Sequence, residues 1–222
     1  MDSGTLPLLV RGNSRAVLVG ALSVPGAILL AVAASQPGVL SWHMGLHIAV
    51  MNVIAPLIAV VLVRNGVSPA WSRPALLWGL TSLQLAVLWI AHSPTAHHHL
   101  DHVAAGHTLL HALLFVVALA FWMSVAGAVA HRWQTMLALL ISGKFACLLG
   151  VLLIFAPRLL FGAHATDGHA AASLADQQLA GLLMIAACPL SYLLPAVVLA
   201  VQAVLGLEPS HENPVPGGLA RS

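Results

Sequence analysis

Residues 43–63, HMGLHIAVMNVIAPLIAVVLV, decide the fold. This stretch contains no Lys, Arg, Asp or Glu, and it supplies the ~20 mainly apolar residues that a transmembrane helix needs. Five further stretches have a similar length and apolar composition, and they lie at about Ala16 to Ala34, Pro74 to Ala91, His107 to Ala130, Trp133 to Ala156 and Gln178 to Leu205. The sequence therefore predicts an all-α fold, a polytopic transmembrane bundle of about six spanning helices.

The composition excludes a water-soluble domain. Hydrophobic residues make up 60% of the chain and charged residues 6%, whereas soluble domains contain roughly 25% charged residues. We expect one transmembrane domain over residues 16–205, between a cytoplasmic segment (1–15) and a disordered cytoplasmic tail (206–222). The chain has no nucleotide-binding motif, no nucleophile elbow and no basic patch, so we expect neither an enzyme nor a nucleic acid partner.

Basic residues in the loops predict the orientation. Six arginines fall in segments that the predicted spans place on one side of the membrane. These segments precede the first span, form the second and fourth loops and end the chain; the residues are Arg11, Arg15, Arg64, Arg73, Arg132 and Arg221. Lys and Arg concentrate in cytoplasmic loops. We therefore expect the protein in a bacterial inner membrane, with both termini on the cytoplasmic side. The first span also resembles a cleavable secretory signal, which would leave five spans with the same orientation.

Histidines are concentrated on the predicted outer side. Eleven of the thirteen fall there, namely His43, His47, His92, His97, His98, His99, His102, His107, His111, His164 and His169. Imidazole is the commonest metal ligand in proteins, so this asymmetry indicates metal handling at the outer face. The tract around residues 97–102 is interpreted as a mobile loop that attracts metal ions.

Two His-x-x-x-His pairs predict a defined metal site. His43 and His47 open the second span, and His107 and His111 open the fourth, so each pair shares one helical face at the same membrane depth. Asp176, at the start of the sixth span, adds a possible carboxylate ligand, although Ser173 three residues earlier is also typical of a helix cap. The predicted ligands are therefore His43, His47, His107, His111 and Asp176. Met44 and Met51 are nearby thioethers, which favour Cu(I), or they serve as packing residues.

Three residues deeper in the predicted bundle have two interpretations each. Lys144 lies near the middle of the fifth span, where a charge costs ~2.5–3.5 kcal/mol or more. It either faces the bundle interior with a functional role, or it has no such role and extends its amine toward the cytoplasmic surface or stays neutral beside a backbone carbonyl. Cys147 and Cys188 lie at similar depth, and they either bind soft Cu(I) together or pack as two small apolar groups.

Several segments resemble one family of membrane proteins. They are HMGLHIAVMNVIAPLIAV at 43–60, HTLLHALLF at 107–115, FAPRLLFGAH at 155–164 and DQQLAGLLM at 176–184. These segments are similar to the CtaG family of membrane-embedded cytochrome c oxidase assembly factors. The resemblance implies a protein that carries or inserts copper at the outer face while a heme-copper oxidase matures. It also implies oxidase subunits as partners, with a copper donor protein as a possible further one.

Two other functions remain open at this stage. A copper transporter would need a polar path through the whole bundle, and a redox protein would need axial histidines for heme. Paired histidines near the surface suit a small ion better than a macrocycle. Copper and zinc are not distinguished, because sites with several imidazoles accept both.

Overall fold

The computed structural model describes residues 40–67, 73–93, 95, 96, 99, 106–128, 131–160 and 173–205. Over these residues the chain is helical, and no strand is found in them. Five helices are long and apolar enough to cross a membrane. They are α1 (Leu40–Arg64), α2 (Pro74–Ala91), α3 (Gly106–Gly127), α4 (Arg132–Phe155) and α5 (Leu174–Val204).

These five helices confirm the predicted all-α transmembrane bundle. Each covers one of the spans predicted from apolar composition, with ends that differ by at most a few residues. Many large apolar side chains point out of the bundle, as lipid-facing residues should; Leu57, for example, is 62% exposed and Leu109 is 65% exposed. The predicted first span at Ala16 to Ala34 and the segments 1–15 and 206–222 lie outside the described residues.

The closest helix pair is α4 with α5. A Cβ atom added to Gly181 would lie 2.6 Å from the carbonyl oxygen of Gly150, and one added to Gly150 would lie 2.9 Å from the carbonyl oxygen of Gly181. The two backbones therefore touch at this point. Small residues allow this approach, which is how helices gain van der Waals contact in a solvent as apolar as themselves.

The helix α1 connects this pair to the rest of the bundle. Its first half packs against α5, its second half packs against α3, and α2 contacts both α3 and α4. The beginnings of α1, α3 and α5 and the ends of α2 and α4 come together at one end of the bundle, which we call the histidine end.

One turn in the middle of α1 is wider than the rest. Val50–Ile54 is π-helical, and the amide of Ala55 bonds to the carbonyl of Val50. The indole Nε1 of Trp122 donates to the carbonyl of Met51 at 3.0 Å. Single π-helical turns are rare and frequently occur at functional sites, so this turn makes the middle of α1 a candidate functional position.

Candidate metal centre

His43 and His47 lie on one face of α1, as their spacing predicts. Their ring centroids are 6.1 Å apart and the rings are nearly parallel, with 24° between their planes. His43 is half-buried, whereas His47 is only 7% exposed. The first two turns of α1 therefore direct two imidazoles into the histidine end of the bundle.

The third imidazole comes from α3. His111 is 3% exposed, and its Nε2 lies 2.9 Å from the Nε2 of His43. Its ring centroid is 4.7 Å from that of His43 and 5.3 Å from that of His47. One ligand atom from each of these three histidines lies within 4.8 Å of the other two.

These separations are close to those of a bound metal site. Metal–nitrogen bonds of about 2 Å place two ligands of one ion about 3 to 4 Å apart. Small rotations of the three rings would therefore bring the nitrogens onto one ion. Two neutral imidazoles can also share one hydrogen bond at the 2.9 Å contact between His43 and His111, so this contact is compatible with a metal-free protein.

His47 has a polar atom without a partner. Its Nε2 is buried and has no hydrogen bond within the part of the chain that the structure describes. A buried polar atom left in this state costs ~1–3 kcal/mol, so most such atoms in proteins are paired. A bound cation would use the lone pair of this nitrogen, and the chemistry of the site therefore fits a metal ion.

A fourth histidine lies beside His47; it is not in the group of three close ligand atoms, and its position in the sequence did not predict it as a ligand. His92 directly follows the last residue of α2, is 8% exposed, and lies with its ring 5.7 Å from that of His47. Its Nδ1 is 2.8 Å from the carbonyl oxygen of Leu88. A carbonyl only accepts hydrogen bonds, so Nδ1 carries the proton and, in the neutral ring, the lone pair is on Nε2. We call His43, His47, His92 and His111 the histidine cluster.

The histidine cluster encloses a small cavity. All four imidazoles line it, together with apolar residues that include Met44 and Leu114. The space open to the centre of a water molecule is about 20 Å³, enough for roughly one particle of that size. The cavity therefore suits a single ion or water molecule.

Asp176 lies beside the cluster with a different set of contacts. Its carboxylate accepts hydrogen bonds from the backbone amides of Leu40 and Ser41 and from the Ser41 hydroxyl. A carboxylate at this place satisfies free amides and complements the positive end of the helix dipole. Asp176 is not in the group of close ligand atoms formed by the described residues, so its role as a ligand stays a prediction. Its backbone amide bonds to Ser173 Oγ at 3.0 Å, which confirms the predicted cap of α5.

The other predicted residues are placed as follows. His107 lies in α3 one turn before His111, but its side chain is outside the described part of the structure, as are the loop residues His97, His98 and His102. Lys144 is exposed on α4, outside the core that the described helices form. Cys188 is buried, Cys147 is half-buried, and both are free thiols.

A family model matches most of this chain. The family model described as cytochrome c oxidase caa3 assembly factor (Caa3_CtaG) matches residues 11–204, which is most of the chain and includes every residue of the histidine cluster. No curated protein and no solved structure matches.

Proposed function

Because the chain belongs to the caa3 cytochrome c oxidase assembly factor (CtaG) family, we propose that it carries copper for that oxidase. The histidine cluster binds one copper ion at the outer face of the membrane, and the ion passes to an oxidase subunit during assembly. The protein acts by holding and releasing the ion and catalyses no covalent reaction. A copper donor protein would load the cluster from the outer side.

The observation that carries this proposal is the meeting of His43, His47 and His111. Three ligand atoms from two helices lie within 4.8 Å of one another, and the buried Nε2 of His47 has no partner among the described residues. The hydrogen bond that fixes the His92 ring supports it as a fourth ligand. Imidazole nitrogens suit copper and zinc alike, and the family's role at a copper-containing oxidase favours copper.

The interior of the bundle favours delivery over transport. Tyr192 lies below the cluster with its ring stacked 5.5 Å from that of Trp122, and Phe121 packs against both. All three side chains are at most 4% exposed. A copper ion moving toward the cytoplasm would meet this aromatic layer, which offers few ligands, so the ion is better placed to leave on the side from which it came.

The size of the cavity argues against heme. Its volume of about 20 Å³ accepts one small particle and not a porphyrin. Purified protein should therefore lack a Soret absorption band.

Copper analysis of purified protein tests the proposal. Full-length protein in detergent should retain copper after desalting, and His47→Leu and His111→Leu should each remove at least one ion per chain. Removing the unpartnered His47 nitrogen should leave the metal-free protein at least as stable as wild type, since such an atom costs ~1–3 kcal/mol. In a deletion strain, neither variant should restore oxidase activity.

His131→Leu is the matched control. His131 precedes α4 at the opposite end of the bundle, so its replacement removes one imidazole without touching the cluster. It should keep wild-type copper and restore the oxidase. Equal copper content in wild type, His47→Leu and His111→Leu would overturn the proposal, and so would zinc as the bound metal in medium that contains both.

A further inference from the structure

A second cavity lies directly beneath the histidine cluster. It has the same volume of about 20 Å³, and it shares Met44, His47 and His92 with the cavity above. The remaining lining comes from α1, α2, α4 and α5 and includes Met51, Asn52, Met184 and Cys188. We call this space the sulfur cavity.

The sulfur cavity gathers soft ligands. Met44, Met51, Met184 and Cys188 all line it, and each is at most 5% exposed. The chain has six methionines and two cysteines, so half of the methionines and one cysteine meet at this one space. Methionines are common core residues, but thioethers and a thiol together are the ligand set that selects Cu(I).

Two local features orient this ligand set. The π-helical turn Val50–Ile54 contains Met51 and Asn52, and Asn52 Nδ2 donates to the Sγ of Cys188 at 3.6 Å. The sulfur of Cys188 is thus the acceptor in this contact. The side-chain amide of Asn52 is therefore held next to the sulfur that would bind the ion.

His47 connects the two cavities. Its ring lines both, it is more than nine-tenths buried, and its Nε2 has no hydrogen-bond partner among the described residues. From these observations we infer that the sulfur cavity is a second copper position, in which Met51, Met184 and Cys188 hold one Cu(I) ion beside His47. The inference rests on the proposed function in that the histidine cluster is the outer of the two positions.

Binding of Cu(I) at this position needs no oxidant or reductant. Cu(I) enters as a monovalent cation, the S–H bond of Cys188 breaks, a Cu–S bond forms and the proton leaves to the buffer. Copper keeps its oxidation state. The exchange of one positive charge for another leaves the net charge of the buried site unchanged, which matters because an uncompensated charge inside a membrane is expensive.

Anaerobic Cu(I) titration of the full-length protein in detergent, against a chromophoric Cu(I) chelator, tests the inference. Wild type should bind two ions per chain, and X-ray absorption at the copper edge should detect both sulfur and nitrogen neighbours. Met184→Leu with Cys188→Ser should bind one ion, without sulfur neighbours. These replacements nearly conserve volume, so the fold should tolerate them. His43→Leu with His111→Leu should also bind one ion, with sulfur neighbours.

Met136→Leu with Cys147→Ser is the matched control, because it makes the same changes at residues that do not line the cavity. This variant should bind two ions. One nitrogen-bound ion in wild type, unchanged by Met184→Leu with Cys188→Ser, would overturn the second position and leave the proposed function intact. One sulfur-bound ion, unaffected by the histidine changes, would overturn the histidine cluster instead. Absence of copper from wild type would overturn both.

Discussion

Two buried polar residues show how differently two regions of this bundle are built. Gln177 in α5 is 0% exposed, and its side-chain amide donates to the carbonyls of Leu153 and Arg158 and accepts from the amide of Leu160. His47 in α1 is 7% exposed, and its Nε2 has no partner within the described residues. Gln177, at the α4–α5 interface, has its polar atoms satisfied within the bundle, whereas His47 has one that a ligand can satisfy.

This difference indicates that one region mainly stabilises the fold and the other mainly binds a ligand. A buried hydrogen-bonded amide contributes to the folded state, while an unpaired buried nitrogen subtracts from it. At the α4–α5 interface the backbones are in close contact at Gly150 and Gly181. Around the histidine cluster, by contrast, two small cavities interrupt the packing. We therefore expect changes at Gly150 and Gly181 to affect folding and changes at the histidine cluster to affect copper binding.

The largest effect on stability is expected from Gly181→Ala. The added Cβ would lie 2.6 Å from the carbonyl oxygen of Gly150, and backbone atoms cannot move aside without separating α4 from α5. Overpacking of this kind costs ~1–3 kcal/mol. The measurement is the free energy of unfolding in mixed micelles, followed as the denaturing detergent is increased.

Gly79→Ala is the control for that change. A Cβ at Gly79, on the exposed face of α2, has no neighbour within 4 Å. Because Ala favours a helix interior over Gly by up to ~1 kcal/mol, this variant should be as stable as wild type or more so. If the two glycine variants lost stability equally, the α4–α5 contact would have no special role.

Asp176→Asn should have a smaller effect and tests the link between the two regions. Asp176 belongs to α5, but its carboxylate accepts hydrogen bonds from the backbone amides at the start of α1, one turn before His43. Asn keeps one oxygen but loses the charge that complements the helix dipole, so the start of α1 should be destabilised by ~0.3–1 kcal/mol. Even if all of a ~1 kcal/mol loss appeared in copper binding, affinity would fall less than about tenfold.

Isothermal titration with copper measures that affinity. His43→Leu provides the comparison, because it removes a nitrogen of the cluster and should lower affinity far more than Asp176→Asn. Equal losses in the two variants would instead assign Asp176 as a ligand, as the sequence suggests.

Much of the fold could be predicted from the sequence, and the reason is the solvent. A span must be apolar over its whole length, so five helices were located to within a few residues, including the start of α2 at Pro74. The π-helical turn at Val50–Ile54 was not predicted, although Pro56, which has no amide to bond to the carbonyl of Asn52, lies two residues beyond it.

The placement of the histidines was predicted in part. Spacing placed His43 and His47 on one face, and similar depth suggested His111, because these are local properties of a helix. His92 was missed because it follows the last helical residue of α2 and was assigned to the loop. The contacts of Asp176 depend on α5 lying beside the start of α1, and periodicity shows which residues share a face but not which helices are neighbours.

Lys144→Leu should have the smallest effect on copper binding, because Lys144 lies outside both of the regions compared above. Lys144 is exposed on α4, on a surface that it shares with Leu140 and Leu148, and it lines neither cavity. Copper stoichiometry should therefore equal that of wild type. Because a lysine deep in the bilayer costs ~2.5–3.5 kcal/mol, the variant should accumulate in membranes at least as well as wild type. Loss of copper would place Lys144 in the binding machinery, whereas normal copper with failed oxidase maturation would assign its charge to a contact between this protein and the oxidase.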